Sequence, residues 1–351
     1  MTVNAQPTKA MRLAAAAGGA YRRVFAASRI APLLSRPQPV RRTGFDLDLS
    51  ILDRREEAED VVSLVLGDAD GRPLPSWVPG AHVDLFLPSG RQRQYSLCGD
   101  PADRRAYRVA VRRIPGGEGG SAEVHGLRVG DSLRVRGPRN AFSLVEAGSY
   151  LFVAGGIGIT PILPMVREAD RRGRHWRLVY LGRSRASMPF LRELAHHDPA
   201  AVDVRTDDVT GRPDLAGILP LAGPGAAVYL CGPPALTDGA WRMLRDLDLS
   251  ASLHTERFSP LPVVGGSPFR IRLARSGITV DVAGDETALA AVRRALPGVA
   301  YSCRQGFCGT CKTRVLDGRV EHRDRTLTAR ERQDAMLLCV SRASGSLVLD
   351  L

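Results

Sequence analysis

The chain has no apolar run approaching the roughly 20 residues that cross a bilayer, so no segment reads as a transmembrane helix. No internal repeat is present. Six cysteines in 351 residues are too few for a disulfide scaffold. Residues 1–43 contain neither Asp nor Glu. Basic residues are nowhere interleaved with aromatics and no reader motif occurs, which argues against nucleic acid as a partner. Cys-x-His pairs of the Rieske type are missing, as is any evident set of two histidines and a carboxylate, so oxygen chemistry would need another protein. What remains is a globular composition, 44% hydrophobic and 25% charged, in a length that calls for two or three domains.

The net charge of +12 is unevenly spread. Lys9, Arg12, Arg22, Arg23, Arg29, Arg36, Arg41 and Arg42 give the first 43 residues +8, leaving +4 for the rest. This N-terminal arm, 1–43, is Ala-rich, and Leu13, Tyr21, Val24 and Phe25 can line one helical face. Three readings compete: a disordered tail or over-extended start, a segment docking an acidic partner or membrane surface, and a mitochondrial transit peptide, which its composition resembles.

Cys303, Cys308, Cys311 and Cys339 carry the strongest signal. Their spacing, C-x4-C-x2-C and then a fourth Cys after 27 residues, is that of plant-type [2Fe–2S] ferredoxins. Four thiolates suit an iron–sulfur cluster or zinc. Only Cys308 and Cys311 form the close pair expected of a zinc knuckle, so the uneven first gap favours the cluster; zinc and four unrelated buried thiols remain as alternatives. Gly306 and Gly309 lie where backbone must wrap a bulky inorganic group. A labile cluster suits a reducing compartment, so a cytoplasmic location is expected.

Pattern divides the remaining chain. Residues 44–147 show short alternating stretches such as Phe45–Leu49, Val62–Leu66 and His82–Phe86, punctuated by Gly and Pro, which predicts an antiparallel β-barrel or sandwich. Residues 148–258 alternate strand and helix. Tyr150–Ala154 is a buried strand, and Ile162, Met165, Val166 and Ala169 mark the helix after it. Thr160 is placed to cap that helix and Gly173 to end it. The sum is an α/β domain with a parallel sheet. Residues 259–267 form a Pro- and Gly-rich linker. In 268–351, two strands, a helix on Leu289, Val292 and Leu296, and the cysteine loop follow in β-grasp order.

Motifs fall at the strand ends. Arg93, Tyr95 and Ser96 suit a flavin: a guanidinium for phosphate, an aromatic ring for the isoalloxazine or ribityl chain, a hydroxyl for N5 or O4. Gly116–Ser121 offers backbone N–H groups and a hydroxyl for a phosphate, or is a flexible loop. Gly155-Gly156-Ile157-Gly158-Ile159-Thr160-Pro161 lies between strand and helix, where a dinucleotide can approach backbone, although Pro161 replaces the last Gly of the usual fingerprint. Cys231-Gly232-Pro233-Pro234 ends a strand and places Cys231 to face a nicotinamide, or leaves it as a small buried thiol. Cys98 is read as a buried thiol.

Together these motifs, in this order, closely resemble the phthalate dioxygenase reductase and vanillate demethylase reductase family, from about Phe45 to Leu351. The resemblance implies a ferredoxin-NADP-reductase-like flavoprotein with a C-terminal ferredoxin domain. It would take hydride from NADH onto FMN and pass single electrons through a [2Fe–2S] cluster to a separate terminal oxygenase. FMN would be held by Arg93, Tyr95, Ser96, Val111, Arg112, Gly119, Gly120 and Ser121, with FAD the less expected flavin. Gly156, Thr160 and Cys231 would face the nucleotide, and Phe258 would lie beside the flavin, with Ser96, Cys231 and Phe258 at the hydride-transfer site. Arg183 and Arg185 leave NADPH open. Arg304, Lys312 and Arg314 suggest a basic rim for an acidic patch on the partner, a Rieske oxygenase or a cytochrome P450. A carrier or sensor without hydride transfer, and a zinc-stabilised binding module with a basic arm, are the rival classes.

Overall fold

The computed structural model describes residues 45–351, apart from 118, 247–252, 259–261, 302, 307, 308 and 325. The N-terminal arm, the start of the linker and Cys308 therefore lie outside the described residues. Gly44–Leu351 forms one compact unit.

The first sheet contains β1 (Phe45–Ala58), β2 (Val61–Gly67), β3 (Ala81–Phe86), β4 (Gln92–Ser96), β5 (Ala106–Arg112) and β6 (Ser132–Asn140). Their order is β4-β3-β6-β1-β2-β5, with every pair antiparallel. An isolated bridge between Leu97 and Val109 joins the two edges, so the sheet curls into the expected barrel. Alternation drives the closure. Tyr107, Val109 and Val111 of β5 point inward with Leu64, Leu66, Val83 and Leu85 and are all buried. Each such side chain contributes about 1.5–3 kcal/mol of burial. A short helix, α1 (Gly120–Gly126), follows the glycine loop.

The second sheet is parallel: β7 (Ser149–Gly155), β8 (His175–Gly182), β9 (Val202–Thr206), β10 (Ala227–Cys231) and β11 (Leu253–Glu256), in the order β11-β10-β7-β8-β9. Helix α2 (Ile159–Arg171) follows β7, and α3 (Pro234–Asp246) follows β10. The chain leaves β7 for β8 on one side and later returns to β10 on the other. The crevice between the ends of β7 and β10 is therefore a topological switch point, where ligands of open α/β sheets sit. The expectation for Thr160 is corrected. A 3-10 turn at Gly156–Gly158 runs straight into α2, which starts at Ile159 with Gly158 as its cap. Thr160 is already inside the helix, and its hydroxyl donates to the Ile157 carbonyl at 3.0 Å. Gly173, at φ 62°, follows the helix end as predicted.

The third sheet is mixed and has the β-grasp order. It contains β12 (Phe269–Leu273), β13 (Thr279–Val282), β14 (Lys312–Asp317), β16 (Ala335–Leu337) and β18 (Ser346–Leu349) as β13-β12-β18-β14-β16, with β12 and β18 parallel. A small ribbon of β15 (Val320–Glu321) and β17 (Arg342–Ala343) adjoins it. Helix α4 (Ala288–Ala295) is capped by Thr287, whose hydroxyl accepts from the Ala290 N–H at 3.1 Å. Arg342 is 1% exposed. It donates to the carbonyls of Ser267 and Ala283 at 2.9 Å each, and to that of Glu286. Arg323 donates to the Val264 carbonyl at 3.0 Å, so two arginines tie the later part of the linker to this sheet.

Candidate functional site

The barrel, the parallel sheet and the cysteine loop contribute to one cavity of about 370 Å³. Strand β4 brings Arg93, Tyr95 and Ser96, and β5 brings Val111 and Arg112. The glycine loop adds Gly120 and Ser121, and α2 adds Thr160. Glu256 and Phe258 enter from the end of β11, and Tyr301, Cys303, Arg304 and Gln305 from the cysteine loop. Residues far apart in sequence converge because strand ends of the barrel and of the parallel sheet meet the cysteine loop here.

The residues that line the cavity suit a flavin. A Cβ on Gly120 would stand 2.5 Å from Arg93 Nε, so the missing side chain leaves the guanidinium its place in the wall. Gly119, beside the cavity, has φ 83°, a conformation that glycine adopts without strain. The Ser121 hydroxyl accepts from the Ile114 N–H at 3.0 Å and keeps its own proton to donate. Burial pushes Tyr95 up to about 12, so its phenol stays neutral. Arg112 lies at a border: Nη2 donates to the Ser187 carbonyl at 2.5 Å and stands 3.7 Å from where a Gly156 Cβ would be.

Glu256 was not picked out from the sequence. It borders the cavity and accepts from the Ser96 hydroxyl at 3.4 Å. Desolvation lifts its pKa to about 8, so the carboxyl is neutral at neutral pH. Its one sequence signal was position, at the carboxyl end of a parallel strand, two residues before Phe258. Phe258 is 47% exposed and borders both this cavity and the next.

A second cavity, about 740 Å³, opens at the switch point. Gly155–Gly158 form one wall, and Gly232, Pro233 and Pro234 another. Its charged residues are Arg112, Arg183, Asp207 and Arg212, of which Asp207, directly after β9, also escaped the sequence reading. Gly156 lines this cavity. Thr160 belongs to the first cavity, and Cys231 lines neither: its thiol is fully buried in the core beneath the switch point. Burial and the nearby Glu256 carboxylate hold that thiol's pKa well above its ordinary value. Cys98 is likewise buried, pushed up to about 11 by desolvation, and its thiol donates to the Arg108 carbonyl at 3.4 Å.

Three of the four motif cysteines are described. Cys303, Cys311 and Cys339 are buried, unbridged thiols. The Gln305 N–H donates to Cys303 Sγ at 3.3 Å. Arg304, Gly306 and Gly309 have φ of 54°, 80° and 72°, which turn the backbone around the thiols. A Cβ on Gly306 would stand 2.7 Å from Val340 Cγ2. Convergent soft donors in a loop turned by three residues of positive φ, with Gly306 too crowded for a Cβ, fit an iron–sulfur cluster. Among the described residues no three His, Cys, Asp or Glu side chains meet as a single-ion site; Cys308, the remaining cysteine of the motif, is outside that set. Among the described residues no helix is long and apolar enough to cross a membrane.

Residues 271–344 match the model of the 2Fe-2S iron-sulfur cluster binding domain. Phthalate dioxygenase reductase of Burkholderia cepacia is 38% identical over 321 residues, covering 88% of this chain and 98% of that one. The solved structure of a phthalate dioxygenase reductase, a modular structure for electron transfer from pyridine nucleotides to [2Fe–2S], matches with a TM-score of 0.65 at 37% identity, over 87% of this chain and 98% of that one. An intact type IV self-sufficient cytochrome P450 monooxygenase matches with a TM-score of 0.71 at 39% identity; 93% of this chain is covered but only 45% of that longer one. The chain belongs to the phthalate dioxygenase reductase family, flavin and iron–sulfur oxidoreductases that use FMN and NADH and serve as reductase components of oxygenases and demethylases.

Proposed function

We propose that the first cavity holds FMN, the second holds NADH, and Cys303, Cys308, Cys311 and Cys339 hold a [2Fe–2S] cluster, in three domains at 44–147, 148–258 and 268–351 joined to the last by a linker at 259–267. One observation carries this reading: a single cavity is walled by Arg93, Tyr95 and Ser96 on one side and by the cysteine ligand Cys303 on another. When bound, a flavin takes the two electrons of a hydride together and releases them singly, which a one-electron cluster requires.

The chain's own groups divide the work. Arg93, Gly119, Gly120 and Ser121 bind the flavin phosphate, while Tyr95 and Val111 line its ring site. Arg112, Gly156 and Thr160 stand between flavin and nucleotide. Ser96 and the neutral Glu256 hold a proton beside the hydride path, with the Cys231 thiol beneath them. Phe258 covers the mouth shared by the two cavities and keeps water from it. Asp207 fits a ribose diol better than a 2′-phosphate, which favours NADH, while Arg183 and Arg212 are the residues NADPH would use.

The partner is a separate terminal oxygenase, of the Rieske or the cytochrome P450 kind; likeness to the P450 chain favours testing the latter too. A groove beside Cys339 is bordered by Arg93, Arg293, Arg294 and Arg304 against Asp285 and Glu286, and we assign it as the docking face for an acidic patch. Lys312, expected in that rim, is paired with Glu331 at 3.0 Å and contributes less.

Purified protein under argon should show flavin and iron–sulfur absorption, both bleached by NADH. A colourless preparation containing zinc would overturn the reading. Rising salt should slow electron delivery to the cognate oxygenase; salt independence would remove the docking assignment.

A further inference from the structure

The peptide carrying Cys303 is tied down on both sides. Gln92 and Tyr301 are hydrogen-bonded twice across 209 positions of sequence: Gln92 Nε2 donates to the Tyr301 carbonyl at 2.7 Å, and the Tyr301 hydroxyl donates to the Gln92 carbonyl at 3.0 Å. Tyr301 is 6% exposed. Gln92 is itself fixed, since Nε2 also donates to Asp84 Oδ2 at 2.8 Å, and Asp84 is ion-paired with Arg139. The guanidinium of Arg293 stacks 4.0 Å over the Tyr301 ring, and that of Arg304 lies 5.9 Å from it. Four residues on, Gln305 Nε2 donates to the Arg257 carbonyl. Cys303 and Arg304 hang between these ties. Gln92 immediately precedes Arg93, and Arg257 lies between Glu256 and Phe258, so the ties end on two different walls of the flavin cavity.

We propose that Gln92–Tyr301 and Gln305–Arg257 form a two-point clamp that fixes the Cys303 segment against the flavin cavity and sets the rate of electron passage from flavin to cluster, independently of hydride delivery. The proposal rests on the electron route given above. Each NADH supplies two electrons, which cross this segment one at a time with no bond made or broken. A crossing of that kind depends on separation. Buried hydrogen bonds are suited to hold it, because a buried partner left unsatisfied is costly and the geometry is directional. Tyr301, Gln92 and Gln305 are positioning residues: they act through the placement of Cys303.

The test compares Tyr301→Phe, which keeps the ring, with Gln92→Leu, Gln305→Ala and the Tyr301→Phe/Gln305→Ala pair. NADH is mixed rapidly with each holoprotein under argon, and flavin and cluster bleaching are followed separately. Exchange of amide hydrogens in 303–306 and iron content are measured alongside. With both rates taken on flavin-replete protein, cluster bleaching should slow by several-fold relative to flavin bleaching in the pair, since passage falls off steeply with separation. Amide exchange should quicken with iron content intact. Unchanged cluster bleaching, equal slowing of both steps, or loss of iron would each overturn the clamp. A parent protein in which NADH bleaches neither chromophore would instead overturn the electron route, and the clamp with it.

Discussion

Gly158 is packed against the carbonyl group of Cys231. A Cβ there would stand 2.6 Å from the Cys231 carbonyl carbon and 3.0 Å from the Gly232 nitrogen. Two motifs some 70 positions apart thus meet across the switch point between β7 and β10. The φ of Gly158 is −62°, ordinary for any residue, so glycine is required here by space alone. Gly158→Ala should destabilise the protein by about 1–3 kcal/mol and raise the KM for NADH, whereas Gly148→Ala, with nothing within 4 Å, should be close to neutral. Denaturant titration and steady-state kinetics of the two variants check this.

Glu256 makes stability depend on pH. The folded protein keeps the carboxyl protonated to about pH 8, whereas the unfolded chain releases that proton near 4.5. Its stabilising contribution is full below pH 4.5 and is lost as pH rises through 8, with a slope of at most about 1.4 kcal/mol per unit. Thermal unfolding of Glu256→Gln between pH 5 and 8.5 should show a flatter dependence than the parent. Ser96→Ala should slow NADH-driven flavin bleaching by about tenfold or more.

Flavin retention should follow the Arg93–Gly120 contact. Gly120→Val would drive branched carbon into Arg93 Nε, which stands 2.5 Å from the Cβ position. Both Gly120→Val and Arg93→Ala should lower the flavin-to-protein ratio after gel filtration while leaving iron content unchanged.

The cluster has its own pair of variants. Gly306→Ala places a Cβ 2.7 Å from Val340 Cγ2 at φ 80°, and should reduce iron incorporation. Cys308→Ser should abolish electron delivery to an oxygenase while NADH still bleaches the flavin. Oxygenase turnover by a Cys308→Ser protein would contradict the route through the cluster.

Arg342→Leu removes the donor to three carbonyls, those of Ser267, Ala283 and Glu286. With about 1–3 kcal/mol lost per unsatisfied buried group, the β-grasp sheet should unfold at lower temperature than the parent. Calorimetry resolving that transition from the rest tests the point.

Much of this was legible in the sequence because the signals are local. Alternation in β1, β2 and β3, the run Tyr150–Ala154 with the helix after it, and the cysteine spacing each depend on neighbours within a few residues. Arg93, Tyr95, Ser96, Gly120 and Ser121, which stand out by motif, share a cavity with Val111, which the resemblance implied. The readings that failed or fell short depend on contacts at long range. Composition reads Thr160 as a cap because it cannot tell a 3-10 turn from a loop. Strand position points Cys231 at a nucleotide but does not reveal that its thiol is buried in the core. Glu256 was passed over because a single carboxylate gives no sign of the desolvation that shifts it.

The sequence by itself determined the parts: a barrel, a parallel sheet with a glycine turn, and a four-cysteine loop, each specified by periodicity and spacing along a short stretch of chain. Tertiary structure alone decided how they are joined. Gln92 with Tyr301, Ser96 with Glu256 and Gln305 with Arg257 are bonded across long stretches of chain because folding brings strand ends of the barrel and of the parallel sheet to the cysteine loop around one cavity. Such pairs leave no periodic trace, since a hydrogen bond depends on distance and angle in space and is indifferent to separation along the chain.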